Sequence, residues 1–242
     1  MRIALISDIH GNNVALQAVL DDIQQIGVDQ LVCLGDVATL GPQPCSVIHT
    51  LRDLPCSYVV GNHDAFLLDP GLIQTYTQAP MILAAVDWCR GQLSGDELAF
   101  LQTFQPTITI ALDADSSLLL FHGSPRSHME NLLATTSADE VDQLLDGHHA
   151  TVLAGGHTHI QMLRQHRGML IVNPGSVGMP FKEFVTERPP TLLQHAEYAL
   201  VEATHGAVNI TLRRVPLSWI ALQAAAAASD TPLRGMWLEQ YT

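Results

Sequence analysis

Positive charge is what this chain has least of. Its 242 residues include 11 Lys plus Arg against 24 Asp plus Glu, a formal net charge of -13, and Lys182 is the sole lysine. Sequence-independent grip on long nucleic acid needs many phosphate-neutralising cations, and this composition argues against it. A small phosphate ester stays open, because bound divalent metals make a site locally positive. Cysteine is scarce as well. Cys33, Cys45, Cys56 and Cys89 show no C-x-x-C spacing, so they read as reduced core thiols of a cytoplasmic protein rather than a disulfide framework. No stretch reaches the ~20 apolar residues of a membrane span. The opening run Met1–Asp8 is too short for a secretory signal. The expectation is a soluble, cytoplasmic protein with no membrane partner.

Apolar residues are plentiful, at 47% AVILMFWYC, enough for one sizeable core and a single domain over 1–242. They also leave room for a homo-oligomer interface. The organising stretch is Leu31-Val32-Cys33-Leu34-Gly35-Asp36. It reads as a buried strand that stops at a glycine and leaves a carboxylate at the mouth of a sheet. In an open α/β sheet that rim is where ligands bind.

The same grammar recurs along the chain. Residues 2–7 read as a strand running into Asp8-Ile9-His10, and helical periodicity then runs from Val14 to Ile26 before Gly27. With strand 31–35 this makes a strand–helix–strand unit and a parallel pair. Asn12 and Asn13 both suit a helix cap, Asn13 the better. Residues 56–60 run into Gly61-Asn62-His63-Asp64, and 118–121 into His122-Gly123-Ser124-Pro125. Residues 151–154 run into Gly155-Gly156-His157-Thr158-His159, and 169–172 into Asn173-Pro174-Gly175-Ser176. Segment 64–106 is mostly helical, packing that also walls one side of the site. Ser94/Glu97 and Ser137/Glu140 have capping-box spacing. Hairpins are expected at 107–121, at 162–172 with a solvated His166 at the tip, and at 198–215. A terminal helix follows from Trp219.

Asp8, His10, Asp36, Asn62, His122, His157 and His159 thus each follow a predicted strand. Any one alone has an ordinary reading as a rim polar or a core histidine. Strand-end placement in every case does not fit that reading. Asn62 offers an amide oxygen, His63 a proton near neutral pH, and Asp64 a carboxylate able to orient the His63 imidazole. Carboxylate, amide and imidazole donors without thiolate suit Mn, Fe, Co, Ni or Zn better than Ca or Mg. Seven donors exceed one ion and fit two that share a carboxylate.

In order and spacing these motifs resemble the calcineurin-like metallophosphoesterases over about residues 1–180. Gly35-Asp36-Val37-Ala38-Thr39-Leu40-Gly41-Pro42, His122-Gly123-Ser124-Pro125 and Asn173-Pro174-Gly175-Ser176 are most similar to the small bacterial and archaeal phosphodiesterase branch. Thr39 and Leu40 stand where the protein-phosphatase branch has Asp and Arg. The resemblance implies a four-layer α-β-β-α sandwich of two mixed sheets flanked by helices. It implies one metal on Asp8, His10, Asp36 and His159 and another on Asp36, Asn62, His122 and His157. Two such ions, roughly 3.5–4 Å apart, activate a bridging water and clamp an in-line displacement at phosphorus. His63 would stabilise the transition state or protonate the leaving oxygen, Asp64 would hold His63, and Asn12 would contact phosphate.

The function implied is metal-dependent hydrolysis of a small phosphodiester. A phosphomonoesterase on a small phosphorylated metabolite or nucleotide is the alternative within the chemistry. A non-catalytic, protein-binding scaffold resembling the retromer subunit is the alternative outside it, although every ligand position and His63 are intact here. Asp36→Asn removes the shared charge and is expected to lose both metals. Two ions still bound per chain would contradict the bridge.

Overall fold

Alternation along the first strand sets the layers. In the computed structural model, which describes residues 1–184 and 188–240, β1 (Arg2–Ile6) buries Ile3 and Leu5 on one side and Ala4 and Ile6 on the other. Period-two side-chain placement makes this possible only if both faces are covered. From β1 the chain runs through α1 (Asn13–Ile26), β2 (Gln30–Cys33), α2 (Pro44–Arg52) and β3 (Cys56–Tyr58). Four helices follow: α3 (Asn62–Leu68), α4 (Ile73–Tyr76), α5 (Pro80–Gln92) and α6 (Gly95–Leu101). Next come β4 (Ile108–Ala111), β5 (Ser117–Leu120), α7 (Ala138–Leu145), β6 (Val152–Ala154), β7 (Met162–His166) and β8 (Met169–Asn173). The chain ends with β9 (His195–Thr204), β10 (Ala207–Pro216), α8 (Trp219–Ala228) and α9 (Arg234–Gln240).

The strands form two five-stranded mixed sheets, β10-β9-β1-β2-β3 and β4-β5-β6-β8-β7. β1, β2 and β3 are parallel, as are β5, β6 and β8, and antiparallel strands flank each set. Ile3, Leu5, Val32 and Leu34 of the first sheet pack against Leu118, Leu120, Val152 and Val172 of the second. Ala4 and Ile6 face a second core with Leu16 and Val19 of α1, Ile48 of α2, Phe66 of α3 and Trp237 of α9. Leu119, Leu153 and Ile171 face Val141 and Leu145 of α7. The result is the expected four-layer α-β-β-α sandwich, and the parallel strands bring their carboxyl ends to one rim.

Both capping boxes form, and all four cysteines are free. No helix among the described residues is long and apolar enough to cross a membrane. Local details correct the sequence reading. Asn12, not Asn13, caps α1, its Oδ1 accepting from Ala15 N at 3.1 Å, while Asn13 Oδ1 accepts from Thr50 Oγ1. His166 is buried rather than solvated, because Asp142 of α7 lies over the hairpin and meets its Nε2 at 2.8 Å. The single terminal helix is two, α8 and α9, interrupted where Pro232 lies between them.

The inter-sheet layer should dominate stability. Leu118 is fully buried there, and Leu118→Ala is expected to cost about 2–5 kcal/mol. Denaturant unfolding reads this as a lower midpoint at unchanged slope. A loss well under 1 kcal/mol would mean that the layer is not close-packed.

Candidate metal centre

Beyond their last residues, the parallel strands hydrogen-bond to one another's loops. Asp8 N donates to Gly35 O and His10 N to Asp36 O, both at 3.0 Å. Gly156 N donates to His122 O at 2.8 Å and Gly178 N to Asp8 O at 3.0 Å. Ser176 Oγ also donates to Asp8 O. These bonds satisfy backbone groups that would otherwise be orphaned where the ladders stop.

The convergence demands an unusual backbone. Asp8, His10, Asp36, His157 and His159 have φ of 54, 46, 58, 67 and 57°. Left-handed backbone at a non-glycine residue costs on the order of 1–3 kcal/mol and persists only where its surroundings over-determine it. Five of the seven expected donors carry that strain. Two glycines allow the close approach: a Cβ on Gly61 would collide with the Asp36 carboxylate, and one on Gly156 with Ser7 Oγ.

Two buried groups result, Asp8 with His10 and His159, and Asp36 with His122 and His157. Within each, one ligand atom per residue lies within 4.8 Å of the others. Asn62 Oδ1 joins the second group, 3.1 Å from His122 Nε2 and 2.9 Å from His157 Nδ1. Asp36 stands between the groups. Its Oδ1 accepts from His63 N at 2.8 Å, which leaves Oδ2 at 3.7 Å from His10 Nε2 and 3.4 Å from His122 Nε2. Asp8 Oδ2 accepts from His157 N, and its Oδ1 lies 3.3 Å from His159 Nε2.

These residues fit a pair of cations. His122 Nδ1 lies 2.6 Å from Leu34 O and His159 Nδ1 lies 2.7 Å from Met179 O. A carbonyl only accepts, so each Nδ1 carries a proton and Nε2 is the ring nitrogen turned inward, the arrangement that outer partners impose on metal-binding histidines. His10 Nδ1 faces Thr39 Oγ1 at 3.2 Å. His10 Nε2 and His159 Nε2 face each other at 3.0 Å, which brings two ring nitrogens to the same point. Asp8 Oδ1 and Asn62 Nδ2 are buried without hydrogen-bond partners.

The charges point the same way. Burial favours neutral Asp8, but His159 and His122 hold its carboxyl down to about 2. Burial also opposes ionised Asp36, which His122 and His63 keep well below the carboxylate range. Burial opposes a charge on His122, yet Asp36, together with Asp8 and the Leu34 carbonyl, raises it to about 10. His157 falls to about 3 through burial and the nearby His122, and burial with His159 lowers His10. Two buried anions thus draw positive charge onto His122.

One expected role changes. His63 lies in the same cluster, its ring 5.1 Å from that of His10. Burial lowers its pKa, and its Nδ1 has no hydrogen-bond partner. Asp64 is not that partner. Its carboxylate accepts from Asp36 N at 2.8 Å, Val37 N at 2.9 Å and Gly61 N at 2.9 Å. It braces the turn that presents Asp36, and burial beside Asp36 raises it to about 6. Asn12 is partly occupied: its Oδ1 caps α1 and one Nδ2 hydrogen goes to Gly178 O at 3.1 Å, while the second N–H of the amide is not used by these bonds.

A cavity of about 390 Å³ opens over His10, His63, His157 and His159. Its walls include Tyr76 and Phe181, which strand-end reading does not find because neither ends a strand. Tyr76 comes from the helical segment expected to wall the site, its ring 6.2 Å from His63 and 6.1 Å from His157. Phe181 stacks on His159 at 4.2 Å. A larger groove of about 840 Å³ along α1 and the start of β2 holds none of the donors.

The chain is similar to known proteins in sequence and in fold. The profile of the calcineurin-like phosphoesterase superfamily domain matches residues 1–203. The chain is 32% identical over 193 residues to an uncharacterised protein of Methanocaldococcus jannaschii, covering 74% of this chain and 76% of that one. It is 30% identical over 183 residues to the phosphodiesterase YfcE of Escherichia coli, covering 74% and 81%. A metallophosphoesterase crystal structure from Sphaerobacter thermophilus superposes with a TM-score of 0.74 at 25% identity, covering 100% of this chain and 98% of that one.

The Asp64 brace is testable apart from any chemistry. Asp64→Ala orphans three buried N–H groups and is expected to cost about 3 kcal/mol. It should also release metal, because the Asp36 turn loosens. Wild-type unfolding midpoint and metal content in this variant would contradict the brace.

Proposed function

Because the chain belongs to the calcineurin-like phosphoesterase superfamily and is a metal-dependent phosphoester hydrolase, we propose that it hydrolyses a small phosphodiester at two divalent transition-metal ions. The observation that carries this reading is the Asp36 carboxylate standing between two buried imidazole groups. One ion falls to Asp8, His10, Asp36 and His159, the other to Asp36, Asn62, His122 and His157. When bound, such a pair supplies Lewis acidity and water activation for in-line displacement at phosphorus.

The chain's own residues orient and protonate. The carbonyls of Leu34 and Met179 fix the His122 and His159 rings, and Thr39 faces the outer nitrogen of His10. His63 presents a buried Nδ1 that lacks a partner, and a phosphoryl or leaving-group oxygen in the cavity supplies one. Diester chemistry is favoured by charge. No Lys or Arg is among the described residues lining the cavity, so nothing beyond the metal pair answers the second negative charge of a monoester. Similarity to the E. coli phosphodiesterase supports the same choice. The metals are drawn from Mn, Fe, Co, Ni and Zn, with manganese the first to try. The reading places the enzyme in the cytoplasm, acting on a small molecule rather than on long nucleic acid.

The deciding experiment compares bis-p-nitrophenyl phosphate with p-nitrophenyl phosphate after reconstitution with Mn, Ni or Co, beside a chelated control. Metal-dependent cleavage is expected to favour the diester by about tenfold or more, roughly 1.4 kcal/mol in activation free energy. Preference for the monoester would make the protein a phosphomonoesterase. Two bound metals with no turnover of either would favour the scaffold. His63→Ala is expected to keep both metals and lose about 10²–10⁴ in turnover; undiminished turnover would remove His63 from the chemistry.

A further inference from the structure

Aromatic residues make up 5% of the chain, yet Tyr76, Phe181 and Phe184 all line the one cavity over the metal centre. They are not equivalent. Phe181 is stacked on His159 at 4.2 Å with 28° between the rings, so it serves to hold a site imidazole. Tyr76 is different. Fully buried Phe66 supports one side of it at 5.6 Å, and the ring overhangs His63 and His157 while remaining 46% exposed. A large ring held in place from behind and left open at a reaction centre is a platform rather than core. The cavity, at about 390 Å³, has the size of a small-ligand cleft, for which about 300–1,000 Å³ is usual.

The remaining wall chemistry narrows the occupant. Thr77 and Asn131 line the same cavity. Thr77 Oγ1 accepts from Ala79 N, which leaves its O–H to donate, and Asn131 offers an amide with both donor and acceptor. A stacking face joined to neutral hydrogen-bonding edges is how proteins hold a single unpaired base. We propose that Tyr76 is a stacking platform for a nucleobase, and that the substrate is a phosphodiester bearing a nucleoside on one arm. This rests on the phosphodiesterase reading and adds the substrate class to it.

The test uses the metal-loaded, full-length protein and two competitors that differ only in the base, the methyl ester of adenosine 5′-monophosphate and the methyl ester of ribose 5-phosphate. Each is measured as an inhibitor of bis-p-nitrophenyl phosphate hydrolysis, so binding is read whether or not the ester itself is cleaved. The adenosine ester is expected to inhibit at about tenfold lower concentration, the scale of one base–aromatic stack. Tyr76→Ala should collapse that ratio toward unity, and Tyr76→Phe should preserve it. A merely structural Tyr76 would move both constants together and leave the ratio intact. Equal constants in the wild type, or a gap that survives Tyr76→Ala, overturns the proposal. Saturation-transfer NMR on zinc-loaded protein reads the same contact without turnover: the adenine protons should gain the larger enhancement in the wild type and lose it in Tyr76→Ala. If bis-p-nitrophenyl phosphate is not cleaved, the phosphodiesterase reading falls, and the NMR comparison alone decides for or against the platform.

Discussion

Two carboxylates buried among imidazoles are the constraint from which the rest of the structure follows. Asp8 and Asp36 are essentially inaccessible to water, and burying an unpaired carboxylate costs several kcal/mol even after relaxation. The protein accepts that cost and adds to it, holding five donor residues in left-handed backbone. What offsets it is positive charge at the centre. Against the burial that opposes it, Asp36 with Asp8 and the Leu34 carbonyl drives His122 up to about 10. A chain with a formal charge of -13 and a single lysine thus concentrates its demand for positive charge in one place. Divalent ions are the natural answer to it.

The sandwich supplies the rigidity. Two sheets could slide over a smooth apolar layer, but His122, two residues beyond Leu120 of β5, reaches Leu34 O at the end of β2 with a 2.6 Å hydrogen bond. Just beneath that bond, Leu34 and Leu120 share the inter-sheet core. Packing fixes the spacing of the sheets and the hydrogen bond fixes their offset. His157 N on Asp8 Oδ2 makes a second crossing. Donors from both sheets can therefore hold a common centre to within tenths of an ångström, which loops alone do not achieve.

Much of this was legible in the sequence, for an identifiable reason. Short apolar runs that end at glycine mark strand ends, and in a largely parallel sheet the strand ends are the site. That pointed, without knowledge of the pairing order, to the seven residues that the structure brings together. The failures share a different cause. His63 and Asp64 are adjacent, which invites a paired reading, but both lie in the first turn of α3, where neighbouring residues point about 100° apart and do not face each other. Asp64 turned to the β2 loop instead. The choice between Asn12 and Asn13 was a one-residue boundary, the least determined feature of any helix. His166 looked solvated because nothing local reveals that α7 packs over its hairpin. Tyr76 lies in Thr75-Tyr76-Thr77, which carries no periodic signal, and its importance is wholly tertiary.

Charge and shape divide the labour at the centre. A metal pair binds any phosphoryl group, so it contributes affinity common to monoesters, diesters and anhydrides and little discrimination among them. Selectivity must come from groups that distinguish ground states or transition states of different substrates. Arginines or lysines around the rim would reward additional phosphate charge. The described walls of this cavity offer none, and present tyrosine, phenylalanine, threonine and asparagine instead. Such walls gain little from a second or third anionic oxygen, and they bind a planar neutral group by area and by its hydrogen-bonding edge. The same scarcity of positive charge that made the sequence unusual therefore bears on selectivity: under the proposed dimetal reading, what would tell one substrate from another is the uncharged part of the ester.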